Sequence, residues 1–304
     1  MAPAHAAYLD GHADGRLHLQ HGPIDLVIGV DGGSSPEIER SVRAKAFAAA
    51  HRRFRTILTE LVCELPLLKS PVQPGSTAPQ GAVARRMMAA VRPFAADHFI
   101  TPMAAVAGAV ADEVLAAMLG ELPANDLPLR IYVNNGGDIA LHLAGDRPFR
   151  VGMAHEAGPA LGDLSIGAAD PVRGIATSGR GGRSLSMGIA DSVTILARTA
   201  AQADAAATIV ANAVDLPGHP AVQRRPARCV VDDSDLGEQL VVTAVGCLSV
   251  GDAAQALEDG ARMARRLQER DLLHSAALFL DRASCIVDAL PLPSALLPET
   301  RHHA

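Results

Sequence analysis

Asp204 and Thr208 stand four residues apart in the run TAAQADAAATIVANAV. On a helix this spacing puts a carboxylate and a hydroxyl on one face, a turn apart. Both are hard oxygen donors suited to Mg2+ or Ca2+, and the flanking alanines leave room for an ion. The plainer reading is an acid complementing a helix dipole beside an incidental hydroxyl.

A second cluster is the loop TSGRGGRS, from Thr177 through Ser178, Gly179 and Arg180 to Arg183 and Ser184. Main-chain N–H groups, hydroxyls and two guanidiniums suit a phosphate or carboxylate. The loop lacks the lysine of a Walker motif and matches no strand-to-helix G-x-G-x-x-G pattern. A surface turn with solvated arginines explains it as well.

A third is IYVNNGGDIALHL, where Asn134, Asn135, Gly136, Gly137 and Asp138 interrupt a strand-like run. Asn-Gly and Gly-Gly suit a tight hairpin needing positive φ. They also let a ligand approach the main chain closely, with an acid beside it. His98 precedes a helix start, where it is either a proton carrier or a structural side chain. The four N-terminal histidines match no metal spacing, and no G-x-S-x-G elbow is present.

These groups must be positioned by elements that the sequence punctuates. Arg16–Asp31 alternates around Gly-Pro and reads as a hairpin. Residues 35–65 read as a helix with Pro36 in its first turn and Pro66 beyond its end. Residues 66–80, with three prolines after Pro66, read as a loop, and Ala82–Ala90 as a second helix. Thr101 is the expected cap of a helix from Pro102, whose stripe runs Met103, Val106, Val110, Val114 and Met118. Its small residues suit close packing against a sheet, a ligand (with Met103 in contact) or another subunit. Strands are expected at Phe149–Met153, at the start of Gly174–Gly182, at Ser192–Ala197 and at Leu240–Leu248. Helices are expected at Thr199–Val214, where Thr199 and Gln202 make a capping box, and at Ala253–Arg270. The segment 224–239 reads as a polar connector, Ala276–Val287 as a strand pair, and residues 291–304 as a mobile tail. Strands in pairs with helices between the pairs favour an α+β fold with largely antiparallel sheet layers.

Across 304 residues the net charge is −6 without a basic stripe, and aromatics are 3% of the chain. Both argue against nucleic acid as a partner. The four cysteines are dispersed, which fits a reducing compartment. No secretory signal opens the chain. The most apolar stretch, Pro102–Leu119, is interrupted by Asp112 and Glu113. A cytoplasmic protein without a membrane span is expected. A homodimer is expected only because compact enzymes commonly associate.

Taken in order, TPMAAVAGAVADEV, VNNGGDIAL, IATSGRGGRS and ADSVTILARTAAQADAAATIVANAV resemble the ApbE-like superfamily, most closely its short cytoplasmic branch. The resemblance is strongest over residues 99–214. It implies a T-fold-like α+β domain over the chain, in one piece or two lobes. The better-known members are FAD:protein FMN transferases, which bind FAD and Mg2+ and move FMN onto a Thr or Ser of a partner protein. By position, Asp204 and Thr208 match the family's metal-binding residues. Asn135, Gly136, Gly137 and Asp138 match its glycine turn near the flavin, and Thr177, Ser178 and Gly179 its T-S-G segment. The family's H-x-x-D-P-x-T-G segment is replaced here by SLSMGIADS. Its histidine is gone and Asp191 remains.

Two functional readings follow. One is an ApbE-like transferase or hydrolase acting on a small anionic or heterocyclic ligand such as a flavin. Asp204 and Thr208 would hold Mg2+, Arg180 and Arg183 would clamp the anion, and Ser178, His98 or Asp191 would move a proton. The other is a flavin or metabolite binder that has lost the transfer machinery. FAD or FMN and Mg2+ are the cofactors that the resemblance implies.

Overall fold

The computed structural model describes residues 3–9, 11, 15–33, 35–154, 160–182 and 184–288. Thirteen strands and six α-helices are present among them: β1 His5–Tyr8, β2 Leu17–His21, β3 Ile24–Asp31, α1 Pro36–Cys63, α2 Leu65–Leu68, α3 Ala82–Val91, α4 Val106–Gly120, β4 Arg130–Asn135, β5 Asp138–Leu143, β6 Phe149–Ala154, β7 Ala160–Ile166, β8 Gly174–Ser178, β9 Ser192–Ala197, α5 Ala200–Ala213, β10 Val222–Pro226, β11 Leu240–Val245, α6 Val250–Glu269, β12 Ser275–Leu280 and β13 Ala283–Val287.

Nine strands form one sheet in the order β1-β2-β3-β4-β5-β8-β9-β12-β13. Every pairing in it is antiparallel. The period of two along each strand assigns side chains to faces. On β8, β9 and β12, Ala176, Ile195 and Leu278 join a core that includes the alanines of α5 and α6. Their neighbours Ile175, Leu196 and Phe279 join a smaller core on the opposite face, with Leu164 and Ile166 of β7. Strands β2–β4 pack their buried residues under α1, α3 and α4. The helices thus cover one face, and the β6–β7 ribbon covers part of the other.

The α+β, largely antiparallel expectation holds, with differences of detail. Pro66 lies beyond the end of α1, which closes at Cys63, but it falls in the first turn of an extra short helix, α2, as proline can, so the proline-rich loop begins after Leu68. The segment 224–239 is not wholly a connector, because Val222–Pro226 pairs with Leu240–Val245. Helix α6 starts a turn early, capped by Ser249 and Asp252. Strands β1 and β7 were not expected. Thr101 does not cap its helix; Pro102–Ala105 forms a 3-10 turn ahead of α4. The expected tail and Arg183 lie outside the described residues.

The segment Pro102–Gly120 is long and apolar enough to cross a membrane by length and composition, with a mean hydropathy of 1.6. Here it packs against α1, α3, α5 and the sheet. Glu113 on its far side takes Arg53 of α1 at 2.9 Å and Arg86 of α3 at 2.8 Å.

Helix α5 is gripped at its start. A Cβ on Gly108 of α4 would lie 2.2 Å from the Ala200 carbonyl oxygen, and one on Gly174 of β8 would lie 2.0 Å from the Thr199 carbonyl carbon. Only glycine permits both approaches. Gly108→Ala should therefore cost about 2 kcal/mol or more through overpacking. Urea unfolding of variant and wild type measures this.

Candidate functional site

Where α4 meets α5, each helix caps the other. Asp112 of α4 accepts the Ala200 and Ala201 N–H groups of α5 at 3.0 and 2.9 Å. Asp204 of α5 accepts the Gly108 N–H at the start of α4 at 3.0 Å. Helix N-termini carry unpaired donors and partial positive charge, so a carboxylate is stabilised at each. Thr199 adds the expected cap, accepting the Gln202 N–H at 3.2 Å. The Asp204 reading as a dipole partner is thus correct in kind, but the helix it serves is α4, not its own.

The same junction fixes the glycine turn. Asn135 donates to the Ala107 carbonyl at 3.0 Å. Asn134 accepts the Gly137 N–H at 2.8 Å. Gly136 and Gly137 have φ of 63° and 111°, the double positive φ of a two-residue hairpin turn. Buried Asp138 accepts the Thr177 N–H at 3.2 Å, tying the turn to the end of β8.

These pieces surround one cavity of about 440 Å³, within the roughly 300–1,000 Å³ of small-molecule sites. Asn135, Gly136, Asp138, Thr177, Ser178, Gly179, Asp204, Thr208 and Met103 all line it. The glycine run is a hairpin turn, and its Asn135, Gly136 and Asp138, though not Gly137, border the cavity. Asn212 lines the cavity as well, so α5 presents Asp204, Thr208 and Asn212 at successive four-residue steps. Asn212 accepts the Met187 N–H at 3.0 Å, and the Thr208 hydroxyl has no hydrogen-bond partner among the described residues.

Other expected groups lie elsewhere. Arg180 does not line the cavity; its guanidinium pairs with Asp191 at 2.6 Å. Asp191 also accepts the Asp281 N–H at 2.5 Å. The N–H groups of Arg180, Gly181 and Gly182 are taken by the carbonyls of Ala190, Asp191 and Gly179, so this part of the loop is no anion cradle. His98 is absent from the lining as well; burial lowers its pKa, against the raising influence of Asp97, and Arg270 lowers it further. Ser178 is the one nominated proton-transfer group that faces the cavity.

One wall was not expected from sequence. Val231, Asp233, Ser234, Asp235 and Leu236 line the cavity from the former connector. Thr101 donates to Asp235 at 2.5 Å, and Lys69 pairs with Asp233. Asp138, Asp204, Asp233 and Asp235 are all lining residues, and no Lys or Arg is among those described. Burial pushes the Asp204 carboxyl up to about 7, helped by neighbouring Asp112 and opposed by the N–H groups of Gly108 and Ala107. The cavity suits a neutral or cationic group, or an anion accompanied by a cation.

Among the described residues no group of three or more His, Cys, Asp or Glu is placed to enclose a metal. The donor set is instead one carboxylate and one unpartnered hydroxyl. That fits Mg2+ in its usual protein setting, where one or two carboxylates hold it and water and substrate phosphate complete the shell.

A sequence model of the family described as AbpE bacteria matches residues 6–287. A UPF0280 protein of Methanospirillum hungatei is 32% identical over 194 residues, 63% of this chain and 75% of that protein. A UPF0280 protein of Methanopyrus kandleri is 35% identical over 170 residues, 54% of this chain and 63% of its own length. Among solved structures, the apo flavinyl transferase ApbE of Pseudomonas stutzeri aligns over 93% of both chains at 12% identity, with a TM-score of 0.34. The flavin transferase ApbE from Vibrio cholerae aligns over 94% of this chain and 97% of its own, also at 12% and 0.34.

Asp112→Ala should expose the first turn of α5 and cost about 1–2 kcal/mol, the usual loss for a cap. Hydrogen exchange at the Ala200 and Ala201 amides should accelerate ahead of the rest of the helix, and unchanged protection there would contradict the capping role.

Proposed function

This chain belongs to the AbpE bacteria family, and from that premise we propose that its cavity binds a flavin phosphate together with a divalent cation held at Asp204 and Thr208. The observation that carries the reading is the convergence on one cavity of that pair, the Asn135–Asp138 turn and the Thr177–Gly179 segment. These are the segments whose order resembles the FAD:protein FMN transferases. The apolar lining, including Met103, Val106, Leu185, Met187 and Leu236, suits a planar heterocycle, and thioether sulfur packs well against ring edges. Four lining aspartates would repel a bare phosphate.

Mg2+ would supply charge neutralisation at the phosphate oxygens. Asp204 would give it a carboxylate oxygen and Thr208 a hydroxyl oxygen. Asn135 and Asp138 would hold the main chain of Gly136 at the ligand, and the Val231–Leu236 wall would limit water. In the transferase reading, an acceptor hydroxyl attacks the flavin-side phosphorus of FAD, the bridging P–O bond breaks, and AMP departs. The acceptor's proton would pass to a lining group, for which Asp138 and the Ser178 hydroxyl are the candidates. The position of His98 and the engagement of Asp191 by Arg180 favour a second reading, a flavin carrier that performs no transfer.

Fluorescence titration tests the binding. FMN should bind at least tenfold more weakly in EDTA than in Mg2+, while riboflavin, which has no phosphate, should bind equally in both. Thr208→Ala and Asp204→Asn should abolish the Mg2+ effect. Metal-independent FMN binding unaltered by both substitutions would overturn the assignment. Release of AMP from FAD then separates transferase or hydrolase from carrier.

A further inference from the structure

At the opposite end of the β4–β5 hairpin, roughly 17 Å from the glycine turn at about 3.4 Å per strand residue, lies a second, open hollow. Its volume is about 330 Å³, and it is lined by Asp31, Arg130, Arg147, Pro148, Phe149 and Arg150. Three guanidiniums and one carboxylate give this lining a formal charge of +2 in a chain whose net charge is −6.

The three arginines are not equivalent. Arg130 is half-buried and oriented: it pairs with Asp31 at 3.2 Å and reaches the Pro148 carbonyl at 3.5 Å. Arg147 and Arg150 flank Pro148 and Phe149, and their guanidiniums have no ion-pair or hydrogen-bond partner among the described residues. The Phe149 ring is fixed against Tyr132, with centroids 5.6 Å apart, so the short segment bearing both free arginines is anchored to the sheet. Anchoring lowers the entropy lost when their side chains close on a ligand. Guanidiniums present forked donors that match the oxygens of phosphate groups.

We propose that this hollow is a binding site for a small polyanionic phosphoryl ligand, with Arg147 and Arg150 as its clamp and Arg130 as the charge at its base. It differs in sign from the aspartate-lined cavity and needs no metal. The two sites therefore select opposite ligands, bare anions here and cation-accompanied or uncharged groups there.

Inorganic pyrophosphate is the probe, titrated calorimetrically into the full chain at low salt and without divalent cations. Saturable 1:1 binding is expected, weakening several-fold between low and physiological ionic strength because the clamp is exposed. Arg147→Ala combined with Arg150→Ala should weaken it at least tenfold while leaving the melting temperature unchanged, since both side chains are on the surface. Thr208→Ala should leave it unaltered. No saturable binding, binding undiminished in the double variant, or binding lost with Thr208→Ala would each overturn the proposal. Equal affinity for citrate would overturn its phosphoryl selectivity. Metal-dependent FMN binding at the other cavity is a separate readout, so failure of one site does not imply failure of the other.

Discussion

The reciprocal capping of α4 and α5 is the constraint from which the rest of the cavity follows. Two helix N-termini would otherwise each bury unsatisfied donors. Asp112 and Asp204 satisfy them across the junction, and Gly108 makes the approach close enough to do so. Because both acids sit in the same junction, burial raises both carboxyls above their ordinary range. The arrangement is electrostatically costly, and it holds a carboxylate at the cavity wall in one position.

From that junction the other walls are a short series of bonds away. Asn135 reaches α4 one residue before Gly108, which brings the glycine turn to the cavity. Asp138 then reaches the end of β8, which brings the T-S-G segment. Thr101 reaches across to Asp235 and brings the acidic wall. Rigid main chain supported by a second layer of polar contacts keeps a binding geometry within tight tolerance. Four aspartates, with no Lys or Arg among the described lining residues, make the cavity better suited to a phosphate whose charge is offset.

Much of this was legible in the sequence because it is local. Period-two alternation located the β2–β3 hairpin, apolar strand-like runs located β4, β5 and β9, and the Thr199–Gln202 spacing located the start of α5. The Asp204–Thr208 step was legible, and the same step extended once more reaches Asn212. What was not legible depends on partners distant in sequence. Thr101 looks like a cap until Asp235, 134 residues on, takes its hydroxyl. Arg180 looks like an anion clamp until the turn brings Asp191 to it. Asp233–Leu236 reads as linker because its polar residues show no period, and the contacts that tie it over the cavity come from distant Lys69 and Thr101. Strand β6 was legible at Phe149–Met153, but its partner β7 hid in a glycine-rich stretch with little strand patterning.

The most direct measurement is anomalous diffraction from crystals grown with Mn2+ and FMN. The account predicts an ion within coordination distance of Asp204 and Thr208, bridging to the flavin phosphate, with the ring against Met103. A flavin in that cavity with its phosphate directed elsewhere, or an ion bound away from α5, would contradict it.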